Sequence, residues 1–231
     1  MDFIIQGFGQ ALGLLFGGDP ETWSAVEVTI RLTALSMLAS LLLGLPLGIL
    51  LGTRDFPGKR LVRVTVDTCL GLPTVVVGLV VYAFISRQGP LGSMDLLFTL
   101  RGMAIGQAIL ALPIVVALTA SALDGADPRM VLTLQTLGTP PGQMILGLLR
   151  EVRYSVLAAA VTAYGRVVAE VGVSMMLGGN IKWHTRTITT AITLETGKGE
   201  FSMGIALGLV LLALSFLLNG ALSVFRRRAS A

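Results

Sequence analysis

Arg166 and Glu170 stand four residues apart inside a long apolar run. That spacing puts a guanidinium and a carboxylate on one face of a helix, within pairing reach. Charges in such a run are costly in hydrocarbon and face a protein interior or water. Two readings follow. The pair is a structural bridge that holds its helix in place, or Arg166 partly compensates the charge of an anion moving along a path. Arg186 and Thr187, which follow Gly179-Asn180-Ile181, are placed to line an outer gate of such a path. Arg31 and Asp67 are the other charges in apolar runs, and Arg31 lies near the end of its run, where its stem can carry the charge to water. Reaction chemistry is harder to assemble. Gly52-Thr-Arg-Asp-Phe-Pro-Gly58-Lys59-Arg60 comes close to a phosphate-binding loop, but it has one residue too many between the glycines, and Arg60 stands where Ser or Thr would hold magnesium. His184 is the sole histidine, beside Trp183 and without a Cys or carboxylate cluster, so a surface or interfacial role is expected. Cys69 is the sole cysteine and is expected to be a small buried side chain. No Ser-His-Asp set forms. The chain is therefore expected to have no catalytic site, metal or cofactor of its own. Any work it does must draw on a gradient or another subunit.

The elements that carry these residues are apolar. Of 231 residues, 54% are hydrophobic and only 13% are charged, too few for a water-soluble domain of this size. The formal net charge is +4, but the cations are thinly spread and not interleaved with aromatics, which argues for topology signals and against a nucleic-acid surface. Five segments are long enough to cross a hydrocarbon core ~30 Å thick: about 26–51, 62–85, 102–123, 155–177 and 203–225. A sixth, Thr185 to Thr196, is short and rich in Thr, and is expected to be re-entrant or buried within the bundle. Met1 to Gly18 has no cation to start a cleavable signal. The spacing of Phe3, Ile4, Phe8, Leu12, Leu15 and Phe16 predicts a helix lying in the membrane interface, ended by Gly17-Gly18-Asp19-Pro20, with Trp23 at headgroup depth. The organisation is all-α: residues 1–24 as interfacial helix and outer segment, 25–225 as a transmembrane domain, and 226–231 as a basic tail.

Loop charges set the expected orientation. Arg54, Lys59, Arg60, Arg63, Arg129, Arg150, Arg153 and Arg226 to Arg228 fall on one side, and Arg87, Arg101, Lys182, Arg186 and Lys198 on the other. Positive flanks are retained inside, which predicts an outside N-terminus and a cytoplasmic C-terminus. Gly44, Gly48 and Gly52, and likewise Gly204 and Gly208, have the spacing that lets helix backbones approach. Pro46, Pro73 and Pro113 each fall within a predicted span and can kink it.

The polar loop of about 124–153 is expected to fold as two short helices across the cytoplasmic mouth. Asp127-Pro128 can open the first, Gly138 can end it, and Pro140-Pro141 can start the second. Such a surface suits a docking partner or a structured connector.

Here the sequence resembles a known family. Leu134-Gln-Thr-Leu137-Gly138-Thr139-Pro140-Pro141 looks like the coupling-loop motif of ABC importer permeases, although Thr133-Leu134-Gln135 replaces its acidic start and Leu149-Arg150 its downstream Leu-Pro. Tyr164-Gly-Arg166-Val-Val-Ala-Glu170-Val-Gly172, Met175-Met-Leu-Gly-Gly179-Asn180-Ile181, Thr185-Arg186-Thr187 and Leu194-Glu195-Thr196-Gly-Lys198-Gly-Glu200-Phe201 are similar to molybdate and tungstate importer permeases, especially the tungstate branch. Gly89-Pro90-Leu91-Gly92 fits the same pattern. The resemblance implies a bundle of the type I ABC importer permease kind, with five spans plus the interfacial helix. It implies a second copy of the chain, a dimer of cytoplasmic subunits that bind ATP and Mg, and an extracytoplasmic oxyanion-binding protein, all at a bacterial or archaeal cell membrane. Leu134, Leu137, Gly138, Thr139 and Pro140 would contact the ATPase; Arg166, Glu170, Asn180, Arg186 and Thr187 would line the path or gate. A self-sufficient secondary transporter is the competing class, although no repeat relates the two halves of the chain.

Overall fold

The computed structural model describes residues 9, 12, 13 and 17–229, with side-chain surroundings described to 217 and at 220. The expected interfacial helix at 1–18 therefore lies largely outside the described residues. Helix α1 spans Pro20–Thr53, and begins before the expected start near Val26 because Asp19 accepts from the Thr22 amide at 2.8 Å with Pro20 in the first turn. Next come α2 (Lys59–Leu70), α3 (Thr74–Ile85) and, after a short 3-10 turn, α4 (Leu100–Asp124). A pair of short helices follows, α5 (Pro128–Thr136) and α6 (Pro141–Glu151). The chain ends in α7 (Arg153–Val168), α8 (Gly172–Gly178), α9 (Ile188–Gly197) and α10 (Phe201–Ala229).

Two of the expected spans are single helices, α1 and α4. Two others are broken. The segment expected as one span at 62–85 is α2 and α3 meeting at 104°, and the one at 155–177 is α7 and α8 meeting at 58°. Pro73 explains the first break. It caps α3 instead of sitting inside a helix, since it has no amide to continue one and excludes α conformation from Leu72. Helix α2 is correspondingly amphipathic and exposed, and Cys69 is half-exposed on it, not buried. Pro46 and Pro113 do lie within helices. The fifth expected span falls within α10, whose described apolar run is Phe201–Leu217.

Helices α1 and α4 run parallel and form the spine. A Cβ placed on Gly44, Gly48 or Gly52 would come within 2.9, 2.7 and 2.9 Å of Val115, Thr119 and Leu123. Small residues every fourth position thus let a matching row on α4 seat against the α1 backbone. Gly204 of the second glycine pair meets Thr196 in the same way, whereas Gly208 faces open space. Above the seam a buried polar relay crosses three helices. Ser36 donates to Gln107 Oε1 at 3.1 Å, and Gln107 Nε2 donates to Ser174 at 3.0 Å. At the other end Arg63 of α2 pairs with Asp124, and Leu123, Leu148 and Val152 form a small core under α5 and α6. The exposed surface of α1 and α3 is apolar, including Leu38, Leu42, Leu43, Leu79 and Phe84, as a helix surface facing lipid requires.

The seam predicts a contrast. Gly48→Leu should destabilise by roughly 1–3 kcal/mol through overpacking, while Gly208→Ala should leave thermal unfolding of the purified protein unchanged. Equal melting temperatures for the two variants would show that the seam is not closely packed.

Candidate functional site

The break between α7 and α8 gathers the Arg166–Glu170 pair and the buried threonines around it. Helix α7 ends with the Glu170 amide bonding back to the Val167 carbonyl at 3.2 Å, and α8 restarts at Gly172. Gly172 lets α8 approach α3 closely there, because a Cβ would sit 3.2 Å from the side chains of Thr74 and Val75. The amides that begin α8 need an acceptor. Glu170 supplies one: its Oε1 accepts from the Val173 amide at 3.0 Å, and the residue is only 3% exposed. Its other oxygen lies 4.0 Å from Arg166 Nη1, a loose ion pair. The Arg166 side chain stays 42% exposed.

A cluster of threonines locks the break to the rest of the fold. Thr189 donates to the Glu170 carbonyl at 3.0 Å and contacts Thr187 Oγ1 at 3.0 Å. Thr187 begins α9 through a reciprocal capping box with Thr190. Thr29 of α1 accepts from the Ile188 amide at 2.9 Å. Asn180, in left-handed backbone at φ 52°, donates to the Thr190 carbonyl at 3.3 Å. The expected short segment is therefore a helix whose first turn, Ile188 to Ala191, is buried and packs against α1 and α10.

Arg186 closes the outer side of this hub. It is 7% exposed, pairs with Glu21 at the start of α1, and lies 4.0 Å from Glu195 of α9. Lys182 pairs with the other oxygen of Glu21 at 2.7 Å, and Lys198 shares the Glu195 oxygen that faces Arg186, at 2.9 Å. The two arginines thus differ. Arg186 is buried and pairs closely with Glu21, in a cluster where Lys182 and Lys198 share its carboxylates, and Arg166 keeps one loose partner and an open face. That face of α7, with Ser155, Thr162, Gly165 and Ala169 also exposed, is small and polar where α1 and α3 present bulky apolar side chains.

The structure brings Arg166, Glu170, Asn180, Arg186 and Thr187 into one neighbourhood. Leu134, Leu137, Gly138, Thr139 and Pro140 lie at the opposite end, on α5 and the turn that follows it. Asp127 caps α5 by accepting from the Arg129 amide at 2.8 Å. The helix ends with the Thr139 amide on the Leu134 carbonyl and the Gly138 amide on the Gln135 carbonyl, both at 3.0 Å, with Gly138 at φ 66°. This is a Schellman turn. Leu134 is half-buried and its methyl comes within reach of Gly147 on α6, while Leu137 is 73% exposed at the tip and Leu132 also faces outward. Sequence reasoning missed Glu21, Thr29 and Glu195 as members of the hub. Glu21 and Arg186 are 165 residues apart, and neither has a local signal that names the other.

The fold matches a chain of the MetNI methionine ABC transporter in an inward-facing conformation with a TM-score of 0.74, at 20% identity, over 91% of this chain and 98% of that one. The chain belongs to the family of binding-protein-dependent transport system inner membrane components, which matches residues 44–231. Among its relatives, the tungstate uptake system permease protein TupB of Campylobacter jejuni is 48% identical over 95% of this chain and 92% of its own length. A probable anion ABC transporter permease protein of Haloferax volcanii is 41% identical over 89% of this chain and 90% of its own.

The role of Glu170 as a cap separates two substitutions. Glu170→Gln keeps an oxygen for the Val173 amide and should retain most stability. Glu170→Ala leaves that amide without an acceptor and should cost about 1–2 kcal/mol. Thermal unfolding in lipid nanodiscs checks this, and indistinguishable variants would remove the capping role.

Proposed function

We propose that this chain is the permease subunit of an ATP-driven importer for a tetrahedral oxyanion, tungstate in the first instance. The observation that carries the reading is kinship along nearly the whole chain with tungstate uptake permeases. In this reading two copies face each other across their α7 surfaces, and the exposed small and polar row there lines a path between them. Arg166 offers a positive charge on that path, loosely held by Glu170, so an anion is attracted without being trapped. Weak, partly compensated attraction is what conduction needs, since a tight site would stall release. The hub of Asn180, Arg186 and Thr187 forms the fixed wall behind the outer gate.

The N-terminus is placed outside and the C-terminus in the cytoplasm of a cell membrane, which brings α5 and α6 to the cytoplasmic face. The Leu137–Gly138 tip then docks on a dimer of ATP-binding subunits, which hold ATP and Mg. An extracytoplasmic binding protein delivers the oxyanion to the other face. ATP can drive transport only if its subunits contact the two states of the permease differently, and the exposed tip is where that differential contact acts.

Two measurements test the reading. Arg166→Ala should reduce tungstate uptake by roughly tenfold, the scale of one charge-assisted contact, and Arg166→Lys should restore part of it. Normal uptake by both variants at normal protein levels would exclude Arg166 from the path. At the other end, Gly138→Val forces a branched residue into left-handed backbone, a strain of about 1–2 kcal/mol. ATP hydrolysis by the reconstituted complex should then lose its response to oxyanion-loaded binding protein. An intact response would remove the docking role of the tip.

A further inference from the structure

A groove of about 540 Å³ runs along the exposed side of the α1–α4 pair, at the end of α4 that carries Arg101. Its floor is made of Ala39, Ala104 and Ala108, and its walls of Leu35 and Leu43 on one helix and Ile105 and Ile109 on the other. The sequence explains the shape. Small residues on the facing surfaces leave a channel where bulkier ones would fill it, and Ser40 draws the helices together by donating to the Ala108 carbonyl at 3.2 Å. Every residue lining the groove is apolar except Arg101, at its rim.

Arg101 is out of place by the usual rules. It sits in the first turn of α4, where the helix dipole opposes a cation, and among the described residues it pairs with no carboxylate. Depth supplies a second clue. From Arg101 to Leu112, at the far end of the groove, the helix rises about 16 Å, which is one leaflet of a hydrocarbon core ~30 Å thick. An apolar channel one leaflet deep, with a lone guanidinium at headgroup level, complements a single amphipathic molecule whose anionic group sits at one end.

From this geometry we infer that the groove is a binding site for an anionic phospholipid. One acyl chain lies between the α1 and α4 walls, and the phosphate pairs with Arg101. The lipid fills this concave stretch of the lipid-facing surface and completes the charge balance at the start of α4. This inference does not rest on the identity of the transported ion.

The test uses the complete transporter complex, purified from membranes and exchanged into equimolar phosphatidylglycerol and phosphatidylcholine, with retained lipid identified by native mass spectrometry. Wild type should retain phosphatidylglycerol preferentially. Arg101→Ala should lower that preference by about tenfold, the weight of one charge-assisted contact, and Arg101→Lys should keep most of it. Ala108→Leu, which raises the floor, should reduce retention of both lipids without altering Arg101. Equal retention of the two lipids by wild type, or an unchanged preference in Arg101→Ala, overturns the proposal. So does a cross-link from Ile105→Cys to any protein segment, whether of a second copy or of the same chain, since the groove would then be filled by protein.

Discussion

A helix that breaks inside a hydrocarbon layer leaves backbone amides and carbonyls that water cannot reach, and each costs several kcal/mol unless the protein itself supplies a partner. This constraint organises the chain around Glu170. Its side chain takes an amide at the start of α8, its carbonyl takes the Thr189 hydroxyl, and its second oxygen faces Arg166. The buried carboxylate therefore caps α8 and holds a half-exposed arginine, while the backbone carbonyl of the same residue anchors the turn into α9. The outer ion pairs among Glu21, Lys182, Arg186, Glu195 and Lys198 extend the same solution to the membrane boundary, where charge is cheaper.

The spine obeys a different economy. Helices in lipid gain nothing from burying apolar surface against each other, so close packing and internal hydrogen bonds must hold them. The row of glycines on α1 against Val115, Thr119 and Leu123 provides the first, and the relay from Ser36 through Gln107 to Ser174 provides the second. Both devices lie between α1 and α4 or reach out from them. The α5–α6 pair is fastened differently, by the small core of Leu123, Leu148 and Val152, and its tip stands free. A rigid pair and a lightly fastened appendage are what a machine driven from one end requires.

Much of this was legible in the sequence because it depends on neighbours along the chain. Apolar runs located the helical segments, Gly44, Gly48 and Gly52 marked the seam, and Asp127-Pro128 with Gly138 marked both ends of α5. Arg166 and Glu170 were paired by their spacing alone. The breaks were less legible. Pro73 was visible, but hydropathy runs straight through Gly71-Leu72-Pro73, and only the packing of α3 against α8 shows that the chain turns by 104° there. At Ala169 to Val171 no proline announces the break; it depends on Gly172 fitting against Thr74 and Val75 and on the cap from Glu170. The partners of Arg186 were not legible at all, because Glu21 and Glu195 reach it through the fold. In the Thr-rich segment, Thr185 and Thr189 donate to the Gly178 and Glu170 carbonyls outside it, which no local pattern reveals.

The two ends of the molecule are joined by less chain than their separation suggests. Val152 is at once the last cap of α6 and the first of α7, so no loop intervenes between the paired short helices and the helix that carries Arg166. Helix α7 is 16 residues long, about 24 Å of continuous hydrogen-bonded rod, and Glu170 follows within two residues of its end. Leu148 and Val152 seat the near end of this rod on Leu123 of the spine. In the proposed importer, a displacement of the α5–α6 pair would reach α7 without an intervening loop, with the Leu123 contact as fulcrum. At the far end the rod meets a break, not a continuous helix. A 58° joint held by one carboxylate and a few hydroxyls can change its angle at the cost of those contacts, where an unbroken span would have to shear against its whole length. The break that first presents itself as a problem of unsatisfied amides is, in the proposed importer, also the place where movement of α7 would alter the surroundings of Arg166.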